Sequence, residues 1–367
     1  MNIISVVGAR PNFMKVAPLH RAFEKDPRIK FSKVLHTGQH YDEKMSDIFF
    51  NQLGLPKPHF YLGIGGGSHT WTTAHIMLKF EEILKEEQPD VVLVVGDVNS
   101  TVACSLVAVK MGIPCVHVEA GLRSGDRNMP EEVNRIITDS IVDMLFVTEQ
   151  SGMIHLAKEG VSDEKIHFVG HVMIDSLIYF REKASKETIL EDINVSAKDY
   201  ILMTMHRPHN VDNENSLNDI IQIIKNATKH KKVVFSIHPR TFNNVKKFGL
   251  YDELKAIEGL ILLEPQGYLQ FLKLMDNAAL IITDSGGIQE ETTYLKVPCM
   301  TFRDTTERPV TVDLGTNFLM KDLNPETVRL QMENILNGAS KQGAIPPLWD
   351  GQASERIKDI LIEKYGK

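Results

Sequence analysis

Asp97 and Glu119 stand at the carboxyl ends of two strand-like segments, the continuous apolar run Val91–Val95 and Pro114–Val118. Carboxyl groups at the ends of buried strands either cap a following helix or face a ligand at the sheet edge. Glu119 precedes Ala120-Gly121 and has no evident cap to make, so a ligand-facing role is the sharper reading. Asp284-Ser285-Gly286-Gly287 follows the apolar run Leu280–Thr283 and leads into a helical segment, Ile288–Leu295. A strand, a glycine turn and a helix start together hold anions, because the first helical amides have no internal partner and the dipole there is positive. Glu290 and Glu291 lie one turn in; carboxylates so near a diphosphate repel it, unless one of them holds a sugar diol. Arg10 and Lys15 follow the first strand, with Pro11 opening a helix between them. Two cations there suit a diphosphate or a carboxylate; the plainer alternative is two surface charges.

The elements that must position these groups repeat one pattern. Asn2–Val7, Phe31–Thr37, Val91–Val95, Pro114–Val118, Leu145–Thr148 and Ile166–Val169 read as short buried strands, with helical segments between them at Ser46–Leu53, Trp71–Glu86 and from Ser100 to Lys110. Gly63–Ser68 is glycine-rich but lacks the Lys-Ser/Thr ending of a phosphate loop and reads as a connecting loop. Past the polar stretch Ala184–Lys198 the pattern restarts with strands at Tyr200–Thr204, Val233–Ile237, Leu260–Leu263 and Leu280–Thr283. The expected fold is α/β: two doubly wound Rossmann-like domains, residues 1–175 and 176–353, facing across a cleft, with the amphipathic 354–367 segment packing back on the first.

With 367 residues, two cores are the natural expectation. A net charge of −7 argues against a nucleic-acid surface, and Asp97 interrupts the longest apolar run, which is therefore no membrane span. Cys104, Cys115 and Cys299 sit in apolar context without a C-x-x-C pair, which suits reduced thiols and a cytoplasmic setting; nothing at the start resembles a signal peptide. No G-x-G-x-x-G dinucleotide fingerprint is present, and no cluster has convincing metal-ligand spacing: His206 and His209 are separated by Pro208, which disfavours a helical pair.

These motifs resemble those of the non-hydrolysing UDP-N-acetylglucosamine 2-epimerases, which have the GT-B fold. The resemblance runs from Gly8-Ala9-Arg10-Pro11 through Gly96-Asp97, His117–Arg123, Pro130-Glu131-Glu132 and His206-Arg207 to Thr283–Glu291 and Arg303–Pro309; the last two blocks are the specific ones. It implies that Arg10 and Lys15 lie near the phosphates of a UDP-sugar and that the Ser285, Gly286 and Gly287 amides hold its diphosphate. Glu291 would bind the ribose hydroxyls, Gln266 and Phe271 would lie around the uracil, and Arg308 would complete the site. Asp97, Glu119, Glu131 and His206 would surround the reacting sugar. It further implies a homodimeric isomerase without cofactor or metal, interconverting UDP-GlcNAc and UDP-ManNAc for surface polysaccharide synthesis. Tyr41–Lys44 and Gly63–His69 do not look like the segments that hold a second, activating UDP-GlcNAc in many bacterial members. Those loops, with Asp126–Pro130, lean towards relatives acting on UDP-diacetamido-uronic acids. A hydrolysing 2-epimerase, a GT-B glycosyltransferase and a non-catalytic nucleotide-sugar sensor are the other readings weighed.

Overall fold

The computed structural model describes residues 1–38 and 54–366, and of Arg10 the backbone alone. The helix expected over Ser46–Leu53 and the Tyr41–Lys44 segment lie outside the described residues. The chain forms two compact units, Met1–Ser176 with Pro347–Lys367, and Leu177–Pro346.

In the first unit the described strands are β1 (Asn2–Val7), β2 (Phe31–His36), β3 (Phe60–Tyr61), β4 (Val91–Val95), β5 (Cys115–Ala120), β6 (Met144–Val147) and β7 (Ile166–Phe168). They form one parallel sheet in the order β3-β2-β1-β4-β5-β6-β7. Helices cover it, so the central strands carry apolar residues on both faces; all five of β4 are buried. Ile4, Val6, Leu35, Val92, Val94, Cys115 and Leu145 pack with Ile76, Phe80, Ala103 and Val107 from the covering helices. The order reverses between β1 and β4. Ligands of open α/β sheets bind outside the carboxyl ends of the strands at such a reversal.

The second unit repeats the plan with β8 (Tyr200–Thr204), β9 (Lys232–Ser236), β10 (Leu260–Leu263), β11 (Leu280–Thr283), β12 (Cys299–Phe302) and β13 (Asn317–Met320). Their order is β10-β9-β8-β11-β12-β13, again parallel, and it reverses between β8 and β11. Ile201, Met203, Phe235, Leu280, Ile282 and Phe302 meet Leu217, Ile220, Ile224, Val328 and Met332 in its core.

The Pro347–Lys367 segment belongs to the first unit for definite reasons. Buried Trp349 donates its indole N–H to the Thr148 carbonyl at 3.0 Å. The Ala353–Tyr365 helix is capped at a distance by Asp175, which accepts the Ser354 N–H and hydroxyl, both at 2.7 Å, and the Ala353 N–H at 3.2 Å. Cys104, Cys115 and Cys299 are unpaired and buried, and burial pushes the Cys115 thiol up to about 12. Among the described residues no helix is long and apolar enough to cross a membrane.

Candidate active site

In the first unit the site is built where β1, β4 and β5 end. The Arg10–Glu24 helix starts directly after β1, and Asn12 in its first turn ties two strand ends together. Its Oδ1 accepts the Gly8 and Ala9 N–H groups at 3.1 and 2.9 Å, and its Nδ2 donates to the Val95 carbonyl at 3.2 Å. One turn further, Lys15 is buried and ion-paired through Nζ to Glu119 Oε2. Arg10 opens this helix, and its side chain lies outside what the structure describes.

Glu119 is not a residue just past a strand. β5 continues through it to Ala120, and the pairing with β6 shifts register between Val118 and Ala120. Glu119 forms the bulge with φ +71°, a left-handed conformation that costs a side-chain-bearing residue and concentrates at functional sites. Its side chain is 3% exposed, and Oε1 makes no hydrogen bond among the described residues. His171 Nε2 stands 3.9 Å from that oxygen. The neighbouring Gly96 has φ +69°, and a Cβ on it would come within 3.1 Å of Lys15 Nζ and 3.3 Å of Asn12 Nδ2. The left-handed φ favours glycine there, and a Cβ would crowd both side chains.

Asp97 follows Gly96 and is held from the Pro130–Ile141 helix. Arg135 Nη2 and Nε donate to its Oδ2 at 2.7 and 3.1 Å, and Asn134 donates to its carbonyl at 2.9 Å. Glu132 is buried and accepts the Ser124 and Gly125 N–H groups at 3.0 and 2.9 Å beside Arg135. Burial disfavours its ionised form, but those amides and Arg135 outweigh it and hold the carboxyl below its ordinary value. Glu131, at the start of the same helix, is half-buried, and its side chain makes no hydrogen bond among the described residues. The two adjacent glutamates therefore differ sharply: Glu132 organises the loop before the helix, and Glu131 does not.

In the second unit the site lies where β8 and β11 end side by side, Thr204 opposite Thr283. Asp284 is fully buried and accepts the N–H groups of His206 and Arg207 and the Asn210 amide, and its Oδ1 lies 2.9 Å from His206 Nδ1. The Gly286–Leu295 helix starts beside it. Thr283 Oγ1 takes the Ser285 N–H at 3.1 Å, so the Gly286 and Gly287 amides form the open mouth.

Two guanidinium groups border that mouth. A Cβ on Gly286 would lie 3.3 Å from Arg303 Nη1 and 3.4 Å from Arg308 Nη1. Arg308 is ion-paired to Glu290 and Glu307, and Arg303 Nη2 donates to Glu307 at 2.6 Å. Burial works against ionisation of Glu307, but Arg308 and Arg303 override it and hold the carboxyl far below its usual range. Arg303 Nη1 is buried with no hydrogen-bond partner among the described residues. An orphaned guanidinium N–H at a helix mouth is the donor set an oxyanion satisfies. Glu291 is buried deeper in the same helix and accepts the Tyr268 hydroxyl at 2.9 Å. Burial and the adjacent carboxylate push that phenol well above its usual value. Gln266 donates to the Glu264 carbonyl at 2.8 Å, and Phe271 is half-buried on the Tyr268–Asn277 helix.

Each unit thus gathers its share of the expected residues at its own sheet reversal: Lys15, Asp97 and Glu119 in the first, His206, Ser285, Gly286, Gly287 and Arg308 in the second. Sequence reading assigned no role to Asp284, Arg303, Glu307, Asn12 or His171. The Arg303–Pro309 charge cluster was the available signal for two of them.

Comparison with known proteins gives one consistent result. The family model described as UDP-N-acetylglucosamine 2-epimerase matches residues 21–362. The UDP-N-acetylglucosamine 2-epimerase of Methanocaldococcus jannaschii is 44% identical over 100% of both chains. A UDP-2,3-diacetamido-2,3-dideoxy-D-glucuronate 2-epimerase of Pseudomonas aeruginosa is 37% identical, covering 99% of this chain and 100% of that one. A crystal structure of the M. jannaschii UDP-GlcNAc 2-epimerase, solved with UDP-GlcNAc and UDP, superimposes with a TM-score of 0.89 at 43% identity, covering 99% of this chain and 100% of that one.

Proposed function

The chain belongs to the UDP-N-acetylglucosamine 2-epimerase family, and from that premise we propose that it interconverts UDP-GlcNAc and UDP-ManNAc without net hydrolysis. The site observation that carries the reading is Glu119: a buried carboxylate in a left-handed bulge, one oxygen on Lys15 and the other without a hydrogen bond among the described residues.

The chemistry follows from what C2 lacks. No carbonyl is adjacent to it, so its C–H bond is not acidic. Elimination solves this: the C1–O bond breaks, UDP departs with the electron pair, and the C2 proton passes to a protein base, leaving a 2-acetamidoglucal. Reprotonation of C2 on the opposite face, with re-addition of UDP to C1, completes the inversion. The scheme needs proton-transfer groups at C2 and electrostatic help for the departing diphosphate. Asp97 and Glu119, with Glu131 assisting, take the first task. The Gly286–Gly287 helix mouth, Arg303 and Arg308 take the second, with His206 on the diphosphate or the sugar. Glu291 takes the ribose diol, and Gln266 and Phe271 lie around the uracil.

Purified protein with UDP-GlcNAc in deuterated water, followed at C2 by NMR, tests this. Deuterium at C2 with UDP retained on the sugar is expected. Accumulating UDP and free N-acetylmannosamine would show hydrolysis instead, and no turnover without an acceptor would show a transferase. Family membership also supports a cytoplasmic homodimer. Light scattering behind size exclusion is expected to return twice the 41.4 kDa chain mass, and a monomer at working concentration would remove that part.

A further inference from the structure

The two candidate proton-transfer groups stand on different strands, and one buried carboxylate outside the substrate-facing set is wired to both. Asp139 lies in the Pro130–Ile141 helix and is buried. Its Oδ1 is 2.6 Å from His117 Nδ1, and the opposite ring nitrogen, Nε2, is 2.8 Å from the carbonyl of Gly96, the residue before Asp97. Its Oδ2 accepts the Gly121 N–H at 3.0 Å, two residues past Glu119, and takes Arg123 Nη1 at 2.8 Å. Arg123 is in turn forked onto Glu159 at 2.8 and 2.7 Å. Burial penalises the Asp139 carboxylate, yet His117, Arg123 and the Gly121 amide keep it ionised. With Asp139 ionised, both His117 nitrogens face an acceptor oxygen.

A residue that merely anchors a fold ties one element to another. This pair instead clamps the two backbone irregularities that carry the acids: Gly96 at φ +69° before Asp97, and the Glu119 bulge at φ +71° with Gly121 at φ +81° behind it. We propose that Asp139 and His117 are positioning residues for the epimerisation, setting together the separation and aim of Asp97 and Glu119. The proposal rests on the reading of those two acids as the proton-transfer groups.

The test uses His117→Gln and Asp139→Asn in the full chain. Steady-state kinetics with UDP-GlcNAc are combined with calorimetric titration by UDP, which counts competent sites, and with the primary isotope effect from substrate deuterated at C2. Misplacing a proton acceptor slows the step it serves without loosening the diphosphate. The turnover per UDP-binding site is therefore expected to fall about 10- to 100-fold, with KM and the UDP Kd held within about threefold. The C2 isotope effect is expected to rise, because proton transfer becomes rate-limiting. A purely structural role would lower the melting temperature and the number of sites but leave per-site turnover and isotope effect as in wild type, and that result overturns the proposal. If Asp139→Asn fails to fold, His117→Gln decides alone, since it keeps Asp139 on Arg123 and Gly121. An inactive wild type would overturn the epimerase reading and this proposal with it; an active wild type with unaffected variants overturns this one only.

Discussion

Asp284 holds His206 from behind: its Oδ1 lies 2.9 Å from Nδ1 of the ring, and its carboxylate also accepts the His206 and Arg207 backbone N–H groups. The carboxylate is fully buried while the imidazole is 37% exposed, so orientation comes from inside the second unit and only the ring reaches outward. The register of β8 against β11 makes this pairing, because Thr204 and Thr283 end level with each other.

Asp284→Asn should therefore act twice. Loss of the orienting carboxylate is expected to lower turnover about 10- to 100-fold and to cost about 1–3 kcal/mol of stability as buried donors go unmatched. Burial pushes the Asp284 carboxyl up, but His206, the Arg207 amide and Asn210 hold it below its ordinary value. A depressed folded value adds stability above the unfolded carboxylate pKa of about 3.9, which is lost as pH falls through the folded value. Urea midpoints of wild type and variant should differ most near neutrality and converge in acid. A gap independent of pH would show that ionisation is not what Asp284 contributes.

Asp97→Asn and Glu119→Gln are expected to abolish C2 exchange in deuterated water while UDP affinity stays within a few fold. NMR and calorimetry on the same samples check this. Near-normal exchange in both variants would remove these acids from the chemistry.

Much of this arrangement was legible in the chain. The Val91–Val95 run, buried at every position, located the strand that delivers Asp97, and Leu280–Thr283 with its glycine turn located the helix mouth. Both signals are local: hydrophobic run, turn chemistry, helix start. What escaped was non-local. The sequence reading ended β5 at Val118, because nothing in Val118-Glu119-Ala120 signals a bulge; the register shift exists only against β6. The ion pair between Lys15 and Glu119 spans 104 positions, and the cap that Asp175 makes on Ser354 spans 179. Asp284 looked like one residue of a turn, and its role is visible only once β8 lies beside it.

Arg303→Gln and Arg308→Gln should separate the phosphate from the nucleoside. Loss of a charge-assisted hydrogen bond worth about 1.5–3 kcal/mol predicts UDP binding weakened about 10- to 100-fold. Affinity for uridine, which has no diphosphate, should be unchanged. Equal losses for both ligands would mean that the variants disturb the second unit as a whole. Both substitutions also leave Glu307 or Glu290 short of a buried partner, so a lower melting temperature is expected alongside.

Trp349→Ala removes a side chain that is 1% exposed and its bond to Thr148. A truncation of this kind costs about 3–5 kcal/mol. The loss should appear in chemical denaturation as destabilisation of the first unit, although residue 349 follows the whole second unit in the chain. A midpoint shift confined to the second unit would contradict that placement.

Because the first unit is assembled from residues 1–176 and 347–367, translation delivers its parts out of step. The nascent chain emerges with the Trp349 socket and the Asp175 cap unfilled, and both wait while 170 further residues, 177–346, are synthesised. At about 5–20 residues per second that interval lasts on the order of ten to thirty seconds. At its end the second unit has its whole sequence available, while the first still lacks residues 347–367. The amino-terminal half of this enzyme is thus the one whose maturation finishes later, and the one most exposed to chaperones and proteases in the meantime.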